Sequence, residues 1–163
     1  MSPGNKDHFI STEAALLDLD FICAALAGSY WARDRPRAVI ERSIGSSLCF
    51  GLYEKEGRRQ VGFARVVTDG ATFSWLCDVV IDERHRNMGL GKFLVASVVA
   101  HPSVSGTTCH LGTRDAHGLY ERFGFARSEQ MKRPRASEGP GGRLADPEGE
   151  RAPPPFQEDP CRP

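Results

Sequence analysis

The sequence predicts an α/β (α+β) fold with a mixed central sheet, on two observations. Residues 47–53 (SLCFGLY), 60–68 (QVGFARVVT) and 71–81 (ATFSWLCDVVI) read as three strands joined by tight turns, an antiparallel meander. The period then becomes helical over 89–100 and extended again over 107–111. That is a βαβ unit, so strands 71–81 and 107–111 should run parallel.

The elements follow in order. Residues 8–12 form a short extended segment. Residues 18–27 (DLDFICAALA) place apolar side chains at helical spacing, with Gly28 as the stop. Residues 36–44 (PRAVIERSI) make a second short helix, with Pro36 in the first turn, where proline is tolerated. Gly57 marks the turn over 54–58, and Asp69-Gly70 is a two-residue hairpin signal. Helix 89–100 (GLGKFLVASVVA) ends at His101-Pro102. A helix over 115–122 and a last strand from Phe125 complete the expected fold. Neither a Rossmann order nor a repeat fold fits this sequence of elements.

Composition narrows the function. Lys plus Arg and Asp plus Glu each number 21, so there is no basic surplus for binding nucleic acid and no reason to expect membrane adhesion. No apolar run approaches the about 20 residues that span a bilayer, and the polar start, Met1 to His8, shows no secretory signal. The five cysteines are widely spaced, without zinc-ligand spacing, so no metal is expected. They read as reduced thiols of a cytoplasmic protein. Eight of the 11 prolines lie in residues 134–163, whose larger apolar residues are only Leu144 and Phe156. Such a segment cannot offset its ordering entropy. The expected division is a domain over 1–133 and a disordered Pro/Gly-rich tail over 134–163.

The chemistry is concentrated in residues 82–92 (DERHRNMGLGK), between a strand and a helix. Gly89 and Gly91 lack a Cβ, so a ligand can approach the backbone. The helix start offers unpaired N–H groups and the positive end of a dipole, and Arg84, Arg86 and Lys92 add charge. Together these suit a phosphate or pyrophosphate. In a GxxxxGK[ST] frame ending at Gly91-Lys92, position 86 must be Gly and 93 Ser or Thr; they are Arg86 and Phe93. GxGxxG fails because no third glycine follows Gly91.

The frame that fits is RxxGxG, Arg86-Asn87-Met88-Gly89-Leu90-Gly91. Here the sequence resembles the GNAT superfamily of acyl-CoA-dependent N-acetyltransferases. A second segment, Leu119-Tyr120-Glu121-Arg122-Phe123-Gly124-Phe125, is similar to the family's LYxxxGF signature. The resemblance runs from about residue 10 to 132 and is closest from Gln60 onward, where it looks like a small bacterial-type subgroup. It implies that the two parallel strands splay. It further implies that Val79, Val80 and Ile81 bond pantetheine, and that Asn87, Met88, Gly89, Leu90, Gly91 and Lys92 wrap the pyrophosphate, flanked by Arg86. Tyr120 falls where many members protonate the departing thiolate. A strand N–H near Val80 could polarise the thioester carbonyl. A phenol of pKa about 10 suits a thiolate whose conjugate acid lies near about 8.5, and its ionisation would give a high-pH limb.

The general base is open. Asp78, between Cys77 and Val79, is either a base or amine anchor, or a strand-end carboxylate bonded locally. Tyr30, Trp31 and Arg35 lie where the family covers its acceptor site. Arg65 shares a strand face with Phe63 and pairs either with Asp78 or with an acidic acceptor. Thr113 or Asp115 serves to cap the helix that carries Tyr120. The expectation is an enzyme that moves an acetyl group from acetyl-CoA, its co-substrate, to a primary amine of a small molecule or protein. The alternative is a catalytically silent CoA-binding sensor or interaction module of the same fold. No nucleic acid, membrane or metal partner is expected, and a homodimer stays open.

Overall fold

The structure, a computed structural model, describes residues 6–133. Its elements are β1 (His8–Ser11), α1 (Leu19–Ala27), α2 (Arg37–Gly45), β2 (Leu48–Glu54), β3 (Gln60–Thr68), β4 (Phe73–Ile81), α3 (Leu90–Val99), α4 (Pro102–Ser105), β5 (Thr108–Leu111) and α5 (His117–Tyr120). The strands form one sheet in the order β1-β2-β3-β4-β5. All neighbours are antiparallel except β4 and β5, which run parallel. This is the mixed α/β sheet the sequence predicts. The elements form one unit that ends at Arg127. Residues 128–133 carry no helix or strand, and the predicted tail, 134–163, lies outside the described residues.

The strand period of two sends alternate side chains to opposite faces. On one face, Phe50, Ala64, Val66 and Leu76 pack with Leu90, Leu94, Val95 and Val98 of α3. On the other, Cys49 and Phe63 pack with Ile22 and Leu26 of α1 and Ile40 of α2. Asp18 starts α1 by accepting the Phe21 N–H at 3.0 Å. Gln60 ties that start to the sheet: its Oε1 accepts the Asp18 N–H at 2.7 Å, and its Nε2 donates to Gly62 O at 3.0 Å. Glycine is required at Gly51, because a Cβ there would overlap the Tyr53 ring, 2.6 Å from its Cε2. No helix among the described residues is long and apolar enough to cross a membrane.

Four expectations need correction. The β3–β4 turn spans 69–72, so β4 starts at Phe73. Asp69 forces the wider loop, because its Oδ1 accepts the N–H groups of Ala71, Thr72 and Phe73, each at 2.9 Å. Only Gly70 has positive φ there, at 71°, whereas a two-residue type I′ turn needs two such residues. The helix expected over 115–122 is shorter: α5 is one turn, followed by a 3-10 turn, Glu121–Phe123, that stops at left-handed Gly124. Phe125 adds no strand. Its N–H donates to Tyr120 O at 3.3 Å, and its ring meets the Tyr120 ring edge-on at 5.9 Å. The short α4 was not anticipated; Pro102 opens it and His101 Nδ1 accepts the Ser103 N–H at 3.2 Å.

One irregularity positions the site. Arg65 pairs with Cys77 and Phe63 with Val80, so Asp78 and Val79 together oppose the single residue Ala64. This is a β-bulge, and Asp78 adopts φ 55° to accommodate it. The β4–β5 pairing ends just before, at Leu76 and Leu111. Beyond that point β4 continues to Ile81 with no parallel partner among the described residues.

Candidate active site

The opening begins where β4 loses its parallel partner. Asp82 N–H donates to Val61 O at 2.8 Å. Strand amides alternate in direction, so the Val80 amide also turns towards β3, and those of Val79 and Ile81 turn to the open side. The available N–H groups are therefore those beside Val80 and not its own.

The connection from β4 to α3 is pinned from beneath. His85 is buried, with Nδ1 3.1 Å from Asp82 Oδ1 and Nε2 3.0 Å from Glu54 Oε1. Hydrogen bonds from Arg59 and then His85 hold the Glu54 carboxyl below its ordinary range. Sequence reasoning passed over His85; the only local signal was a histidine three residues after Asp82. Above this anchor, Asn87 has φ 63° and Gly89 has φ 78°. Left-handed residues alternating with right-handed ones turn successive amides towards a common point. Among the described residues, the N–H groups of Asn87, Met88, Gly89, Leu90, Gly91 and Lys92 donate to nothing. The Leu90 side chain is core, so only its backbone serves this loop. Arg86, Met88 and Lys92 are exposed, and Arg86 leans on Glu83 at 3.6 Å. A Cβ on Gly91 would meet only Leu119 Cδ2, at 3.9 Å, and one on Gly89 would meet nothing within 4 Å. Packing therefore leaves space beside Gly89 and Gly91, next to these amides.

Tyr120 lies on α5, which packs against α3 next to this loop. It is buried, and burial, with lesser contributions from the charges of Tyr30 and Asp115, pushes its phenol up to about 12. Its hydroxyl has no hydrogen-bond partner among the described residues, although its ring packs in the α3 core. Thr113 Oγ1 accepts the Ala116 N–H at 3.0 Å and so shapes the turn that presents Tyr120.

Asp78, Arg65 and Arg35 come together. Asp78 Oδ2 accepts from Arg65 Nε and from Arg35 Nη1, each at 2.8 Å. Arg65 Nη1 also donates to Ser47 Oγ at 3.1 Å. The bulge makes this possible by turning Asp78 towards the α1–α2 side, where Arg65 already points. Tyr30 and Trp31 are exposed, with rings edge-on at 4.9 Å. The Arg114 N–H donates to Tyr30 Oη at 3.2 Å, and the Arg114 guanidinium lies 3.8 Å from the Tyr30 ring centroid. The chain between α1 and α2 thus touches both sides of the opening, Asp78 on β4 and Arg114 after β5. Arg114 escaped the sequence reading because nothing local marks a residue whose partner lies 84 positions away. Among the described residues, no group of three or more His, Cys, Asp or Glu is placed to hold a metal.

The acetyltransferase (GNAT) domain family matches residues 45–127. A crystal structure of a GNAT-family protein from Xanthomonas campestris is 42% identical, with TM-score 0.74, over 78% of this chain and 93% of that one. A Gibberella zeae protein that carries an acetyltransferase name is 37% identical over 107 residues, 55% of this chain and 60% of that protein. The chloroplastic GCN5-related N-acetyltransferase 1 of Arabidopsis thaliana is 30% identical over 119 residues, 71% of this chain and 58% of that protein. The chain thus matches about three fifths of the length of these two curated relatives.

Proposed function

Since the chain belongs to the GNAT acetyltransferase family, we propose that it moves an acetyl group from acetyl-CoA to a primary amine by direct attack. One observation carries the reading: six consecutive N–H groups, on residues 87–92, are without acceptors among the described residues, beside a glycine whose missing Cβ leaves room. Acetyl-CoA supplies an activated acyl thioester and a thiol leaving group. The residues that would hold it are Val79 and Ile81 through their amides and 87–92 through theirs, with Arg86 and Lys92 adding charge.

Tyr120 holds a proton at its Oη for the departing sulfur. At a pKa of about 12 the phenol stays protonated across the physiological range. Full transfer to a thiolate of pKa about 8.5 is therefore uphill. Tyr120 therefore acts chiefly as a hydrogen-bond donor while charge builds on sulfur. The phenol's own titration moves from about 10 to about 12, so its high-pH limb moves with it. Asp78 is assigned to holding Arg35 and Arg65, since the oxygen they share is already taken by two donors. The amine then arrives neutral or loses its proton to solvent. The four cysteines among the described residues are free thiols, which supports a cytoplasmic setting.

Calorimetry with CoA and acetyl-CoA, followed by thiol release across an amine panel, tests the reading. Micromolar binding and thiol release matched by N-acetylated product are expected. No CoA binding refutes it. Binding with no thiol release from any amine leaves the silent CoA-binding module in its place.

A further inference from the structure

Two cations face one anion at the bulge. The Asp78 side chain is 2% exposed, Arg65 13% and Arg35 24%. Arg65 with Asp78 already makes a complete buried pair, because Arg65 is ordered a second time by Ser47. Arg35 is the surplus. It reaches the same Oδ2 through Nη1 alone, and its other N–H groups donate to nothing among the described residues. The neighbouring acids give it no second partner. Asp20 and Glu41 are held by Arg37, and Asp34, next to Arg35 in the chain, is exposed and pairs with neither arginine. Like charges brought to one oxygen repel, and an incoming anion relieves that repulsion. A guanidinium with one edge anchored and another edge open presents the planar fork that binds oxyanions. Tyr30 and Trp31, 43% and 44% exposed, lie on the same α1–α2 connection.

We propose that Arg35 recognises an anionic group on the acceptor, so that the acceptor is an amine bearing a carboxylate or a phosphate. This rests on the transferase reading above. Arg65 is a positioning residue, because it acts through Asp78. The chemistry shared by carboxylate and phosphate is a pair of oxygens that accept the guanidinium fork.

Matched amines test it. With acetyl-CoA, β-alanine is compared with propylamine, and O-phosphoethanolamine with ethanolamine. In at least one pair the anionic member should show tenfold or greater kcat/KM, and the pair that does so identifies the oxyanion. Arg35→Gln should bring that ratio to within threefold of one. Arg35→Lys should keep part of it, because charge remains and the fork is lost. If Arg35→Gln does not fold, inhibition of the parent decides instead: propionate or inorganic phosphate should compete with the amine and not with acetyl-CoA. Parent enzyme that binds CoA, releases thiol and uses neutral amines equally well in both pairs overturns the anion site and leaves the transferase standing. If CoA does not bind, the transferase reading fails, and calorimetry of the four amines decides the anion site alone. Preferential binding of an anionic member supports it, and equal or absent binding overturns it.

Discussion

Replacing Gly91 by alanine separates what the fold needs from what the ligand needs. The fold does not need glycine there. Gly91 is the second residue of α3, its backbone is not left-handed, and the new Cβ meets only Leu119 Cδ2 at ordinary contact distance, 3.9 Å. Alanine is favoured over glycine in a helix by up to about 1 kcal/mol, so the melting temperature should hold or rise by a few degrees. The ligand side behaves oppositely. The methyl group occupies the space beside the amides of 87–92 and keeps a phosphate oxygen away from one of them. Hydrogen bonds to a charged group contribute about 1.5–3 kcal/mol each, so CoA should bind roughly ten- to a hundredfold more weakly. Calorimetry measures this directly, and pantetheine, which lacks the pyrophosphate, should bind parent and variant alike. Gly91→Glu should weaken CoA at least as much, because it adds a negative charge. A folded Gly91→Ala protein with the parent's CoA affinity would refute the assignment of this loop.

Tyr120→Phe should lower turnover by about 10²- to 10³-fold, the loss of one donor to developing charge, with a much smaller change in CoA affinity, in a thiol-release assay. The parent's rate should show no descending limb from this phenol below pH 10, because its pKa is about 12. Asp78→Asn leaves two guanidiniums around a neutral amide, and the loss of a buried pair's partner should cost about 3–5 kcal/mol in denaturant unfolding. Gly51→Ala drives a methyl into the Tyr53 ring and should destabilise by about 1–3 kcal/mol, read by the same assay. The Asp69 carboxyl is held well below the ordinary range by the Thr72 hydroxyl and three backbone N–H groups. A depressed folded pKa contributes stability that is complete above the unfolded value, about 4, and is lost as pH falls through the folded value. The melting-temperature gap between parent and Asp69→Ala should therefore be full at pH 6 and shrink steadily below pH 4.

The sheet and its two helical layers were legible because their cues are local. Strand 60–68 matches its predicted bounds, since alternation and flanking turns define it within nine residues. The hairpin was misread because Asp69 competes for the backbone with its own side chain, a choice the dipeptide Asp-Gly does not reveal. The phosphate loop was legible from glycine spacing and a helix start. The Arg65–Asp78 pair was foreshadowed by the period of two. Arg35 joining the same oxygen was not, because it requires a left-handed Asp78 and a partner 43 positions away. The perturbed Tyr120 phenol was hidden as well, since its burial is a tertiary property and Phe125 folds back onto its ring instead of extending the sheet.

The strand order also bears on how the chain folds. Sheet neighbours are sequence neighbours throughout, yet their loops differ greatly in length. Thr68 meets Ser74 across six positions, whereas every β4–β5 pair spans 35 and Ser11 meets Gly51 across 40. Loop-closure entropy grows by about 0.6 kcal/mol per doubling, so the outer pairings cost roughly 1.5 kcal/mol more to close than the central turn. The β2–β3–β4 meander is the natural nucleus, and the two edges join it afterwards. The opening between β4 and β5 belongs to one of those late edges. Among the described residues, its four parallel pairs are the only strand pairing that sets the spacing of its two sides. Amide exchange at β5 should accordingly report openings well below the global unfolding free energy.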